Sequence, residues 1–163
     1  FQLTEGLICS GLLAGPQATV VNMTSGGGYN MPLMVAMLNV TDPATYNGVF
    51  AYGFHKRAQV VLNQYWRDTY GSRGIAFYVM HPGWADTPGI RSALPEFSAI
   101  TRGVLRSAAE GADTIVWLAV ATEAGKVSGK LFLDREERRT HLLSRTRESP
   151  AERRRLLEFL AQQ

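Results

Sequence analysis

Cysteine is nearly absent from this chain: Cys9 stands alone among 163 residues. That excludes an intrachain disulfide and any multi-cysteine metal site, and it fits a reducing, cytoplasmic setting. Cys9 lies in an apolar segment and is expected in the core. Long hydrophobic runs are missing as well. No stretch approaches the roughly 18 apolar residues of a membrane span, and Glu5 interrupts the first apolar segment. A secretory leader is not visible. Lysine is scarce, confined to Lys56, Lys126 and Lys130, so the formal charge of +3 is built from arginine. Eight arginines crowd the stretch from Arg135 to Arg155, but Glu136, Glu137, Glu148 and Glu152 are interleaved with them. Mixed signs on short elements describe a solvated face, and no nucleic-acid motif accompanies them. Nucleic acid is therefore not an expected partner.

What remains is a globular composition, 45% hydrophobic and 19% charged. The expectation is one domain over residues 1–163, with 135–163 forming an Arg-rich connection and a C-terminal helix. The first residue is Phe1 rather than methionine, which raises the expectation that an upstream part is missing or has been removed.

Periodicity orders the chain. Apolar positions from Phe1 to Leu13 read as a mostly buried helix, stopped by Gly15-Pro16. Ala18 to Met23 is rich in β-branched residues and reads as a buried strand. It ends in Thr24-Ser25-Gly26-Gly27-Gly28, where glycines allow a sharp turn. An irregular segment to Gly48 precedes a long helix, about Val49 to Tyr70, closed by Gly71-Ser72-Arg73-Gly74. Ile75 to Met80 is continuously apolar, as expected of a parallel strand covered on both faces, and it runs into the stiff loop His81 to Gly89. An indistinct helical region spans Pro95 to Leu105. A helix from Thr114 to Thr122, burying Ile115, Val116, Leu118 and Ala119, is closed by Gly125. Gly129 to Asp134 reads as a third strand. Ser149-Pro150-Ala151-Glu152 then starts the last helix, with serine as cap, proline in the first turn and glutamate reaching back. This alternation predicts an α/β fold with a parallel sheet, whose ligands bind at the carboxyl ends of the strands. The loops at Ser25 and His81 occupy those ends, and the long helix begins between them.

That helix opens with Tyr52 and Lys56, four residues apart and therefore on one face. An ordinary phenol has a pKa of about 10. A nearby ammonium favours the phenolate and lowers that value, which makes the pair a tunable general acid/base. With six tyrosines and three lysines in the chain, about 0.1 such spacings are expected by chance, so neighbouring features must decide its meaning.

Three features in order supply that context: Val20-Val21-Asn22-Met23-Thr24-Ser25, Tyr52-x-x-x-Lys56, and Pro82-Gly83-x-x-x-Thr87. With them the chain resembles the short-chain dehydrogenase/reductase family over nearly its whole length. The 27-residue interval between Ser25 and Tyr52 looks like the branch carrying an insert there. The resemblance implies the C-terminal part of a Rossmann-like, three-layer α/β fold with a parallel sheet. It implies Tyr52 as proton donor and acceptor for a small carbonyl or alcohol substrate. Lys56 would serve both the tyrosine and the nicotinamide ribose, and Ser25 would hydrogen-bond the substrate oxygen. Pro82, Gly83 and Thr87 would bracket the nicotinamide of NAD or NADP, with Tyr29 and Trp84 at the substrate mouth. Packing or a backbone contact is expected of His81, and an arginine partner or a turn cap of Asp86.

The family's Gly-rich phosphate loop and Asn-Asn-Ala-Gly segment are missing from the sequence. Gly26-Gly27-Gly28 does not replace them, because no helix opens behind it. The strand Ala18–Met23 should then leave an edge open to self-association or to docking with a missing N-terminal part. A serine hydrolase built on Ser25 lacks its Gly-x-Ser-x-Gly elbow. A non-catalytic fragment or scaffold that has lost its cofactor half stays open.

Overall fold

In the computed structural model, residues 1–93, 95–101, 103–122 and 127–163 are described. Among the described residues, six α-helices and four strands run in the order α1 (Gln2–Cys9), β1 (Thr19–Met23), α2 (Gly48–Tyr70), β2 (Ala76–Met80), α3 (Pro88–Ala93), α4 (Pro95–Thr101), α5 (Ala108–Val120), β3 (Leu131–Leu133), β4 (Glu136–Arg138) and α6 (Pro150–Ala161). The strands form one sheet in sequence order. β1 and β2 pair in parallel from Thr19↔Ala76 to Met23↔Met80, and β2 pairs in parallel with β3.

Strand alternation divides the core between the sheet's two faces. Phe77 joins Trp66, Val61 and Tyr70 of α2, Ile8 of α1 and Leu156 of α6. Tyr78 and Met80 point the other way, toward Leu118 of α5 and Phe132 of β3. Helices thus cover both faces of β2, and its uninterrupted apolar sequence follows from that position. β1 lies at the edge of the sheet: among the described residues it pairs with β2 alone.

Several elements depart from the sequence expectation. α1 stops at Cys9 rather than Leu13, and it is not mostly buried, since Leu3 is 77% exposed and Cys9 is on the surface. The helix is held by a narrow stripe. Ile8 enters the core, while the Glu5 carboxylate accepts hydrogen bonds from Trp66 Nε1 (2.8 Å) and the Tyr70 hydroxyl. α5 begins six residues early because Ser107 and Glu110 form a reciprocal capping box. Val116 and Ala119 are exposed, not buried, because the stripe that meets the sheet is Gly111, Thr114 and Leu118. The expected stop at Gly125 lies outside the described residues. The sheet is not wholly parallel either. Asp134 and Arg135 take left-handed φ values of 56° and 59° and turn the chain back as β4, antiparallel to β3. Two residues in that conformation make the tight turn of a hairpin. The start of α6 follows the expectation in full: Ser149 and Glu152 form a capping box with proline in the first turn.

Candidate functional site

The parallel pairing of β1 and β2 continues one residue beyond the strand, where the Thr24 N–H donates to Met80 O at 2.7 Å. The Thr24 side chain is buried, 3% exposed, and its hydroxyl donates to Lys56 O at 2.7 Å. These two bonds tie the end of β1 to the end of β2 and to α2 at Lys56, and place Ser25 just past the tie. Ser25 is extended, and its Oγ accepts from the Gly27 N–H at 3.2 Å.

The glycines that follow serve close approach. None of Gly26, Gly27 and Gly28 has a positive φ, and together they form a short 3₁₀ turn laid against α2. A Cβ on Gly28 would lie 3.2 Å from Lys56 C and Arg57 N. From the helix side, a Cβ on Gly53 would meet Met31 Cγ at 2.7 Å and Gly27 O at 3.4 Å. A methyl group on Gly27 would sit 3.7 Å from both Ser25 Oγ and Tyr52 Cε1. Ser25 and Tyr52 therefore face the same small space over Gly27.

α2 starts at Asn47, whose Oδ1 accepts from the Val49 and Phe50 N–H groups. Asn47 is thus the cap of the helix. One turn later Tyr52 stands 52% exposed. Lys56 Nζ lies 5.5 Å from the centre of its ring and donates to Met23 O (3.0 Å) and Gln59 Oε1 (3.2 Å). Partial burial pushes the Lys56 ammonium below the usual lysine value. Helix spacing and the strand end together hold the lysine beside the phenol.

The second loop leaves β2 at His81, whose N–H donates to Phe132 O at 3.1 Å. Its Nδ1 accepts from the Gly83 N–H (3.1 Å), and its ring meets Tyr29 edge to face at 5.5 Å. Burial lowers the His81 pKa, with Arg106 adding to the effect and Asp134 opposing it. The imidazole is a neutral acceptor that shapes the turn, which is the packing and backbone role expected of it. Gly83 needs a positive φ of 71°. Thr87 Oγ1 accepts from the Ile90 N–H at 3.3 Å and caps α3, and Asp86 pairs with Arg91 at 2.8 Å. Burial raises the Tyr29 phenol above its ordinary value. Trp84 stands 55% exposed on the same loop.

Ser25, Tyr52 and Lys56 are brought together at the end of β1, and the Tyr29–His81 contact joins them to the loop carrying Pro82, Gly83 and Thr87. Three supporting residues are not marked by the sequence. Thr24 reads as an ordinary strand end, and Arg106 belongs to no pattern. Arg57 follows the motif lysine like a surface charge, yet it is 1% exposed. Its guanidinium donates to Thr140 O, to the His141 ring and to Glu148 at 2.6 Å. Glu148 is also held by Arg153 at 2.6 Å, so the Arg-rich C-terminal stretch is partly interior rather than a solvated face. Among the described residues no group of three His, Cys, Asp or Glu side chains could hold a metal.

No family model matches the chain. It is 44% identical over 147 residues to Dehydrogenase/reductase SDR family member 12 from Bos taurus, covering 86% of this chain and 44% of that protein. To the protein of the same name from Homo sapiens it is 43% identical over 149 residues, covering 88% and 45%. The chain spans under half the length of these curated relatives. Among solved structures, a short chain dehydrogenase from Salmonella enterica serovar Typhi superposes with a TM-score of 0.60 at 22% identity, over 81% of this chain and 46% of that one. A Beutenbergia cavernae protein described as an NAD(P)-dependent gluconate 5-dehydrogenase, solved with bound NADP at low occupancy, superposes with a TM-score of 0.56 at 18% identity, over 80% and 48%. By sequence over most of its length, and by fold, this chain is homologous to the short-chain dehydrogenase/reductase family.

Proposed function

We propose that this chain carries the proton-transfer and nicotinamide-facing part of an oxidoreductase site acting on a small carbonyl or alcohol, with NADP or NAD as cofactor. The observation that carries the reading is the convergence of Ser25 and Tyr52 over Gly27 with Lys56 Nζ beside the Tyr52 ring. When bound, NADP or NAD would supply the hydride for the reductive direction, its nicotinamide end held by Lys56, Pro82, Gly83 and Thr87. Tyr52 gives its phenolic proton to the carbonyl oxygen, and the Ser25 hydroxyl donates a hydrogen bond to that oxygen as charge builds on it. Lys56, fixed by Met23 O and Gln59 Oε1, keeps one N–H for a ribose hydroxyl, while its charge acts on the tyrosine beside it.

The residues fit one end of the cofactor and not the other. At the nicotinamide end are a half-exposed phenol and an ammonium tethered to Met23 at the end of β1, the strand end that pairs with Met80 just before the Pro82–Thr87 loop. Thr87 keeps its hydroxyl proton for a carboxamide while its oxygen caps α3. At the other end, the Gly26–Gly28 turn offers no cradle for a pyrophosphate. The Gly27 and Gly28 N–H groups are already given to Ser25 Oγ and Ser25 O, and the turn is packed against α2. We therefore assign adenosine binding to residues outside this chain, meeting it along the open edge of β1. Residues 1–163 are taken as one catalytic unit, with Tyr29 and Trp84 at the substrate mouth. The same missing cradle favours a second reading, a binding or scaffold protein without catalysis.

The test uses the native polypeptide that carries this sequence, titrated with NADPH and NADH and assayed for carbonyl reduction. Micromolar binding of either cofactor is expected. Tyr52→Phe should lower the rate by about 10² to 10⁴ while binding and fold are kept. Binding of neither cofactor would favour the scaffold, and activity that survives Tyr52→Phe would remove the mechanism.

A further inference from the structure

Arg106 lies on the connection between α4 and α5, and its backbone is built into the loop after β2. Its N–H donates to Trp84 O (2.9 Å) and its carbonyl accepts from the Asp86 N–H (2.7 Å), so it brackets Ala85 as a one-residue parallel bridge. Its side chain runs back along the same loop and covers Gly83. A Cβ on Gly83 would be 2.9 Å from Arg106 Cζ and 3.0 Å from Nε. The φ of 71° at that residue also disfavours any side chain. Nη1 donates to Pro82 O at 3.4 Å. Both terminal nitrogens bind Asp134 in a two-pronged pair, with Nη2 donating to Oδ2 at 2.8 Å. Asp134 is itself the left-handed first residue of the β3–β4 turn. One guanidinium thus joins three pieces: the loop backbone at Pro82, the bare face of Gly83, and the hairpin on the far side of β2.

We propose that Arg106 is a positioning residue for the cofactor loop: clamped by Asp134, its planar guanidinium seats Gly83 and fixes the Pro82–Thr87 segment where the nicotinamide is to be met. The inference rests on the functional reading above for the identity of that ligand. A planar fork is what the geometry uses, since it can hold a carboxylate with two bonds while lying flat on a glycine. An ammonium has neither property. The half-exposed pair adds little stability by itself, so its consequence lies in the shape of the loop.

The test compares Arg106→Lys, Arg106→Gln, Asp134→Asn and the double reversal Arg106→Asp/Asp134→Arg in the native polypeptide. Three quantities are read: the thermal midpoint, amide exchange at Gly83 without cofactor, and the NADPH dissociation constant. In the first three variants the Gly83 N–H should exchange about tenfold faster and NADPH should bind about tenfold more weakly. The midpoint should move by only a few degrees. The double reversal should bring back the midpoint but neither the slow exchange nor the affinity, because it restores an ion pair without returning a guanidinium to Gly83. Unchanged exchange in Arg106→Gln would overturn the proposal, and so would a double reversal that recovers all three quantities. If the unaltered protein binds neither NADPH nor NADH, the functional reading falls, while the Gly83 exchange still decides whether Arg106 sets the loop.

Discussion

Tyr52 and Arg57 are five residues apart on one helix, and their surroundings are opposite. At 3.6 residues per turn, five residues rotate a side chain by about 140°, enough to move from one face of α2 to another. The Tyr52 face is open: the phenol is 52% exposed and meets a glycine turn that leaves space in front of it. The Arg57 face is closed by the segment from Thr140 to Arg153, and its guanidinium is 1% exposed. The difference shows how a small site can be both accessible and fixed. The half turn that carries Tyr52 is left bare, and the next half turn is locked by a buried charge with partners on several sides. A buried ion pair is a poor source of net stability, but it strongly resists displacement of the helix that bears it.

The largest way to break this comparison is to remove the lock. Arg57→Met leaves Glu148 buried without its main partner and should cost about 3–5 kcal/mol in urea unfolding, whereas Tyr52→Phe should leave the unfolding midpoint unmoved. The double variant Arg57→Met/Glu148→Leu should recover much of the loss. A single variant as stable as the parent would remove Arg57 as the anchor of α2.

A smaller effect is expected at the glycine turn. Gly28→Ala pushes a methyl group against the α2 backbone, which cannot give as a side chain would, and should cost about 1–3 kcal/mol. Gly26→Ala meets nothing within 4 Å and should be neutral. Equal midpoints for the two variants would show that the turn does not press on the helix.

The smallest effect is an acid limb of stability at the Arg57 face. Burial opposes ionisation of Glu148, but the hydrogen bond and charge of Arg57, with Arg153, hold its carboxyl below the usual glutamate value. Burial and the charges of Arg57 and Arg147 lower His141, with Glu148 and the Thr146 contact opposing them. Both groups bind protons more weakly in the folded chain than in the unfolded one. Their contribution is therefore complete above the unfolded values and lost as pH falls, first below about 6.5 for the imidazole and then below about 4.3 for the carboxyl. His141→Gln should flatten the upper part of that limb in a midpoint-against-pH series, and an unaltered slope between pH 7 and 5 would exclude the histidine.

The sequence was legible where one residue type has one physical consequence. The α/β order, the parallel β1–β2–β3 core and the capped start of α6 follow from periodicity and capping chemistry. The placement of Tyr52 and Lys56 on one face follows from helix spacing alone. It was illegible where meaning depends on distant partners. Nothing local separates Arg57 from Arg67, yet one is interior because Glu148, 91 positions away, folds over it, and the other is on the surface paired with its neighbour Asp68. Val116 and Leu118 are equally apolar, yet only Leu118 faces the sheet. The β4 hairpin was hidden because Arg135 stands at the second left-handed position, where glycine is the usual residue.

The sequence by itself determined the elements, their order and the spacing that puts a phenol beside an ammonium, since these depend on backbone sterics and on residues within a turn or two of each other. Only the tertiary structure decided that Ser25 meets Tyr52 over Gly27, that Arg57 is a buried anchor and that Arg106 lies on Gly83. Each of those contacts joins elements far apart in the chain, and packing the sheet between two layers of helices is what brings them within reach.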